Sequence, residues 1–363
     1  MMSLFDEYKR LGEPEKREKA ENWQIAIGLQ AVDGLKPSEY LVELAQKNIE
    51  GELTTDEVKE SLKLYYEAKP ARPGDGERKI EADTVSAHIA EVLAEKTFTF
   101  SPAEYIGIHK RLFDGVFTHA GMTRGYNITK GEWVLDGETV QYASATILRN
   151  ALDYDFDKEK KFRYKGLSKK QMAEHVAEFT TGIWQIHPFC EGNTRATAVF
   201  VIKYLRSLGF KGVSNDLFAE HSWYFRNALV RAAATNVSEG VYPDRVYIDR
   251  FFGNLLLGEK NILRNRDLHI NATKNATAKT KNATVKKTNA TVKLSATQKA
   301  ILELLNGNGK LTAEDMKNDI GKDVTTIKRA IKGLKEKGLL VRVGSDKTGY
   351  WKVANDQWKV YEK

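Results

Sequence analysis

Nine residues, His187-Pro188-Phe189-Cys190-Glu191-Gly192-Asn193-Thr194-Arg195, bring together an imidazole, a carboxylate, a carboxamide and a guanidinium. An imidazole can take a proton, a carboxylate can hold a divalent cation, and a guanidinium can clamp phosphate. Gly192 beside Asn193 lets the backbone approach a ligand closely. Arg195 falls in the first turn of the following helix, where the helix dipole disfavours a cation. An anionic ligand at that turn accounts for it, and the unpaired N–H groups of a helix start suit phosphate.

Two helices must hold this loop. Upstream, Ser168 and Gln171 form a capping box, and Met172, Val176, Phe179 and Ile183 recur at helical spacing. Downstream, Val199, Ile202 and Leu205 repeat the pattern until Gly209 stops it.

The string resembles the Fic family motif H-x-F-x-(D/E)-G-N-G-R-x-x-R at His187, Phe189, Glu191, Gly192, Asn193 and Arg195. Thr194 stands at the motif glycine and Ala198 at its second arginine. The resemblance implies a mainly helical fold that transfers AMP from ATP to a Tyr, Thr or Ser hydroxyl of a protein. It makes His187 the general base, near its ordinary pKa of ~6.5, and Phe189 a core anchor. Glu191 would hold Mg²⁺, Asn193 and the loop N–H groups the α-phosphate, and Arg195 the β-phosphate. Gly192 and Thr194 share that nucleotide site. Related Doc-type kinases carry Lys where this chain has Thr194, which speaks against phosphate transfer.

Residues 1–70 read as a helical unit. Trp23, Ile27 and Ala31 line one helix, which Gly34 ends; Ser38 and Thr54 or Thr55 cap two more. A unit this short should pack on its neighbour. It resembles the small antitoxin of some Fic toxins, whose S/T-x-x-x-E-(G/N) sets a glutamate against the motif's second arginine. Leu29, Asp33 and Gly34 occupy those positions. With a shorter acid at 33 and Ala198 opposite, we expect no carboxylate–arginine clamp here, and any inhibition to be steric.

Pro70, Pro73, Gly74 and Gly76 read as a linker, and residues 71–265 as the Fic domain, with helices over 83–94 and 101–113. Residues 121–142 predict a β-hairpin: Ile128, Trp133, Val134, Leu135, Thr139 and Val140 favour strands, and Asp136-Gly137 signals a type I′ turn. In the family this element is a flap that holds the target segment; Lys130 and Gly131 lie on it and join the nucleotide site. The helix opened by Ser222 resembles the segment lining the adenine pocket, with Tyr224 the best choice. A last helix spans 247–257.

The chain of 363 residues is 41% hydrophobic with net charge +8. Residues 271–292 hold five Lys and no acid, and residues 293–363 hold 15 Lys and Arg against nine Asp and Glu. The first 270 residues are therefore net −3, and the basic character points to nucleic acid at the C-terminal end. Residues 266–293, with Asn-Ala-Thr at 271, 275, 282 and 289, read as a disordered linker. Residues 294–363 resemble a winged helix–turn–helix. Thr325, Thr326, Lys328, Arg329 and Lys332 would meet DNA from its third helix. The lone Cys190 excludes an internal disulfide framework, and no apolar run has membrane-spanning length; a cytoplasmic protein is the simplest reading. A homo-oligomer stays open. So does a second function, a DNA-binding regulator whose Fic-like region senses nucleotide or is inactive. Thr194 and Ala198 favour that function, His187 and Glu191 the enzyme.

Overall fold

The computed structural model describes residues 5–68, 75–210, 215–236, 241–272, 294–336, 339–343 and 350–353. The chain divides into two compact units, Met1–Ala283 and Thr284–Lys363. Most of the predicted linker, residues 273–293, and the prolines at 70 and 73 lie outside the described residues.

The first unit is helical: α1 (Asp6–Leu11), α2 (Pro14–Gly28), α3 (Glu39–Glu50), α4 (Thr55–Ala68), α5 (Asp75–Ala94), α6 (Pro102–Phe113), α7 (Leu148–Lys161), α8 (Lys169–Ile186), α9 (Asn193–Ser207), α10 (Asn215–Glu220), α11 (Ser222–Ala233) and α12 (Val246–Leu257). Helix α9 is the axis. Every residue from Asn193 to Leu205 is buried, as expected of a helix surrounded by others. Helix α8 precedes it and starts on the Ser168/Gln171 capping box. An aromatic cluster of Phe100, Phe156, Phe179, Phe200 and Tyr204 welds α7, α8 and α9.

The N-terminal helices share this core. Trp23, Ile25, Ala26 and Leu29 are buried in the same hydrophobic cluster as Phe200 and Phe225. Gly28 is required there: a Cβ at 28 would lie 2.4 Å from Ala219 Cα on α10. Helix α2 then tightens into a 3-10 helix over Leu29–Asp33, which ends on Gly34 at φ 67°. Helix α5 begins at Asp75, so Gly76 belongs to a helix and not to a linker. A glycine costs least in a first turn, whose N–H groups have no partners within the helix.

The predicted hairpin is not formed as strands. Among the described residues no β-strand falls within 121–142. The turn is there: Asp136 and Gly137 have φ of 60° and 91°, and Glu138 N–H donates to Leu135 O at 3.2 Å. What fails is the alternation a strand needs. Val134 and Leu135 are consecutive and both buried, whereas a strand would send them to opposite faces. The chain solves this with a 3-10 turn over Trp133–Leu135. Glu132 N–H donates to Glu138 O at 2.9 Å, Gly137 N–H to Glu132 O at 3.0 Å and Lys130 N–H to Thr139 Oγ1 at 3.0 Å, which tie the two arms without a strand ladder.

The second unit has helices α13 (Ala296–Gly307), α14 (Met316–Ile320) and α15 (Val324–Glu336), then strands β1 (Leu340–Val343) and β2 (Tyr350–Val353). The strands are antiparallel, with Leu340 opposite Val353 and Val343 opposite Tyr350. Ser295 and Gln298 form a capping box on α13. Ile301, Leu305, Met316, Ile327, Ile331, Leu334 and Leu340 form the core. Residues 344–349, between the two strands, lie outside the described residues.

Candidate active site

The loop between α8 and α9 is fixed from within. His187 ends α8 in the left-handed region, at φ 51° and ψ 59°. Gly192 caps α9 at φ 73°, and a Cβ there would lie 2.3 Å from the Phe113 ring. Asn193 does not face a ligand: its Oδ1 accepts from Phe189 N–H at 3.0 Å and its Nδ2 donates to Phe189 O at 2.8 Å. The Asn193 carboxamide thus closes the loop on itself. Thr194 is likewise turned inward, where its hydroxyl accepts from Trp184 Nε1 at 2.9 Å. Phe189 is fully buried and stacks on His109 at 3.7 Å between ring centroids.

His109 is a residue that sequence reading missed. Its Nδ1 accepts from Gly121 N–H at 2.9 Å, so Nε2 carries the proton and donates to Glu191 O at 3.0 Å. Burial pushes its pKa down to about 4, which keeps this tautomer neutral and in place.

His187 is buried against Tyr142, 4.2 Å away between ring centroids, and edge-on to Trp184 at 5.4 Å. Its Nδ1 has no hydrogen-bond partner. Burial, helped by the charge of Lys130, pushes its pKa down to about 3. The expectation of an ordinary value is thus corrected. The imidazole is neutral at pH 7, with a lone pair free to take a proton, but buried.

Glu191, Lys130, Arg195 and Asp33 meet on one cavity of about 690 Å³. Glu191 is exposed to it, and Lys130 Nζ lies 3.6 Å from Glu191 Oε2. Gly131 on the same arm has its Cα side against Gly137 O, 3.1 Å from where a Cβ would sit. Arg78, Trp223 and Arg226 line the cavity as well. Tyr224, chosen from the sequence, does not: it is buried, and its hydroxyl donates to Tyr247 O at 3.3 Å. Its neighbour Trp223 takes the cavity face, beneath the Arg226 guanidinium. Arg226 is held by buried Glu132, with NH1 2.7 Å from Oε2. Ala198 is fully buried and does not line the cavity.

The absence of a carboxylate–arginine clamp, expected from the sequence, is overturned. Arg195 Nε lies 2.8 Å from Asp33 Oδ2. Its NH2 donates to Glu81 Oε1 at 2.7 Å, and its NH1 to Gln30 Oε1 at 3.1 Å. The guanidinium also covers the Phe113 ring at 4.7 Å. Asp33 is the last residue of the 3-10 helix over Leu29–Asp33, and it lines the cavity beside Arg195. Gln30 and Glu81 were not singled out by sequence. Glu81 lies 114 residues from Arg195, and no local spacing relates them.

In the second unit, Thr325, Lys328, Arg329 and Lys332 are exposed on α15. Thr326 differs: it caps the helix with Asp323, its hydroxyl donating to Oδ2 at 2.7 Å and its N–H to Oδ1 at 2.9 Å. Among the described residues no group of three or more His, Cys, Asp or Glu forms a metal cage, and no helix is long and apolar enough to cross a membrane.

The chain is 29% identical over 131 residues to the "Probable protein adenylyltransferase y4lH" of Sinorhizobium fredii, over 36% of this chain and 64% of that protein. It thus spans somewhat under two thirds of that relative. The N-terminal Fic domain of an effector protein from Bartonella sp. AR 15-3 aligns over 52% of this chain and 85% of its own, at 21% identity and TM-score 0.41. BepC of Bartonella tribocorum, solved with bound AMPPNP, aligns over 48% and 83%, at 21% identity and TM-score 0.34. Residues 99–205, which carry His187, Glu191 and Arg195, match the model of the Fic/DOC family.

Proposed function

We propose that the first unit is a protein adenylyltransferase. The observation that carries this reading is the cavity of about 690 Å³ at the start of α9, where Glu191, Lys130 and Arg195 meet within residues that match the Fic/DOC family. Helix α9 has no side-chain cap on its first N–H groups, so that end suits the phosphates of ATP. In the reaction, the hydroxyl oxygen of a target Tyr, Thr or Ser attacks the α-phosphorus. The O–P bond to the β-phosphate breaks, pyrophosphate leaves, and His187 takes the hydroxyl proton. A neutral imidazole is the form that can accept it.

Glu191 fits a role at Mg²⁺. One exposed carboxylate beside a phosphate site is how such an ion is commonly held, with phosphates and water supplying the rest. Bound there, Mg²⁺ would neutralise charge between the α- and β-phosphates. Lys130 brings a cation to the same carboxylate, and Trp223 offers an aromatic face for a base. The target would lie along residues 121–142. Asp33 and Glu81 hold Arg195 away from phosphate, so the state described is the resting one.

The second unit is proposed to bind duplex DNA through α15, whose exposed Lys328, Arg329 and Lys332 supply the charge. The three-helix and two-strand order supports that reading.

ATP labelled on the α-phosphate tests the enzyme. Label should pass to protein with the wild type and not with His187→Ala. Equal transfer by both would remove His187 from the mechanism. No transfer by the wild type or by a variant lacking both Asp33 and Glu81 carboxylates would favour the nucleotide-sensing regulator.

A further inference from the structure

Arg124 is buried at 3% exposure, and every hydrogen-bond acceptor it meets is a main-chain carbonyl. Its Nε donates to His187 O at 2.8 Å, NH2 to Ile186 O at 3.4 Å, and its own N–H to Pro188 O at 2.8 Å. Its NH1 donates to Tyr126 O at 2.7 Å and NH2 to Ala143 O at 2.5 Å. Two successive carbonyls at the end of α8, those of Ile186 and His187, and both roots of the 126–143 segment therefore converge on one guanidinium, while the Arg124 backbone takes the next carbonyl, Pro188 O. No carboxylate accompanies it. Burying an unpaired charge is costly, and here the negative end of the α8 dipole offsets that cost.

The same contacts bear on His187. A non-glycine residue in the left-handed region is strained. Asp136 and His187 are the two such residues among those described. Nothing bonds the His187 ring at Nδ1. Its direction is thus set by its backbone and by the slot between Tyr142 and Trp184.

We propose that Arg124 is the positioning residue of His187. It holds the strained turn that aims the imidazole, and it ties that turn to the segment over the cavity. Base and flap then move as one body. This rests on His187 as the base, but the placement of the ring is testable without any activity.

The His187 Cε1 proton lies in the ring currents of Tyr142 and Trp184, and His187→Ala assigns its signal. His175, stacked on Phe162 at 3.3 Å between centroids, is an internal control from elsewhere in the core. In Arg124→Gln the His187 signal should move toward the position of a free histidine while the His175 signal stays. Arg124→Lys is measured alongside, because it keeps the buried charge if the neutral variant does not fold. It should show the same displacement, smaller in size. Transfer of α-label should lose about tenfold in kcat, with the KM for ATP changed less than about twofold. An unmoved His187 signal in whichever variant keeps the His175 signal would overturn the proposal. A displaced signal in a protein whose wild type transfers no label would uphold it and reject the transferase reading alone.

Discussion

Asp33 Oδ2 lies 2.8 Å from Arg195 Nε, and Asp33 is the last residue of a five-residue 3-10 helix. Arg195 is 1% exposed, while Asp33 and Glu81 keep 25% and 21% of their side chains in solvent. The arginine is the buried member of the latch and the acids its access side.

Two acids on one cation make the latch redundant. Asp33→Gly alone leaves Glu81 paired, and Glu81→Gln alone leaves Asp33. Each should raise label transfer only a few-fold. Together they should raise it by about tenfold or more, or ~1.4 kcal/mol, with tighter ATP binding by calorimetry. Additive small effects would show that neither acid competes with phosphate.

Acid should weaken the first unit as soon as the pH falls below about 6.5. His187 and His109 are held by burial to about 3 and about 4, against ~6.5 in an unfolded chain. Below that unfolded value the unfolded state binds more protons, so stability is complete above about pH 6.5 and falls as pH drops toward 4. Melting temperatures between pH 4 and 7 should show the slope, and His109→Gln should flatten it. A midpoint constant down to pH 4.5 in the wild type would contradict the burial of both rings.

Gly192→Ala meets two penalties, a left-handed φ of 73° and a Cβ 2.3 Å from the Phe113 ring. Strain and overpacking together should cost about 2–4 kcal/mol in urea unfolding. Phe113→Leu in the same chain should recover part of it. Loss under 1 kcal/mol would mean that the α9 start has room.

For the second unit, the 363-residue chain carrying Lys328→Ala, Arg329→Ala and Lys332→Ala is compared with wild type on duplex DNA. Each lost phosphate contact should lower the slope of log affinity against log salt by about 0.9. An unchanged slope would take α15 off the DNA.

Local chemistry was legible in the sequence, and long-range placement was not. Capping at Ser38 and Ser168 marked helix starts because cap and partner lie three residues apart. The Asp136-Gly137 turn was legible for the same reason. The strands around it were not, since propensity at Val134 and Leu135 lost to a core that wanted both. Trp223 and Tyr224 differ by one position, about 100° around a helix, and no single-sequence pattern said which would face the cavity. Glu81, Arg124 and His109 carried no signal, because their partners are set by how α5, α6 and the 121–143 segment pack on the motif loop.

Gly28 pressed on the α10 backbone has a consequence for control. With no space for even a methyl group, the segment bearing Asp33 is fastened to the rest of the first unit, and Ser222 Oγ donates to Gly28 O at 2.8 Å as a second fastening. A separate inhibitor is present at whatever level the cell makes it. One carried on the same chain, a few ångströms from its target, acts at an effective concentration that dilution cannot change. On the function proposed above, Arg195 would be freed by a ligand or a partner competing at the cavity and not by dilution.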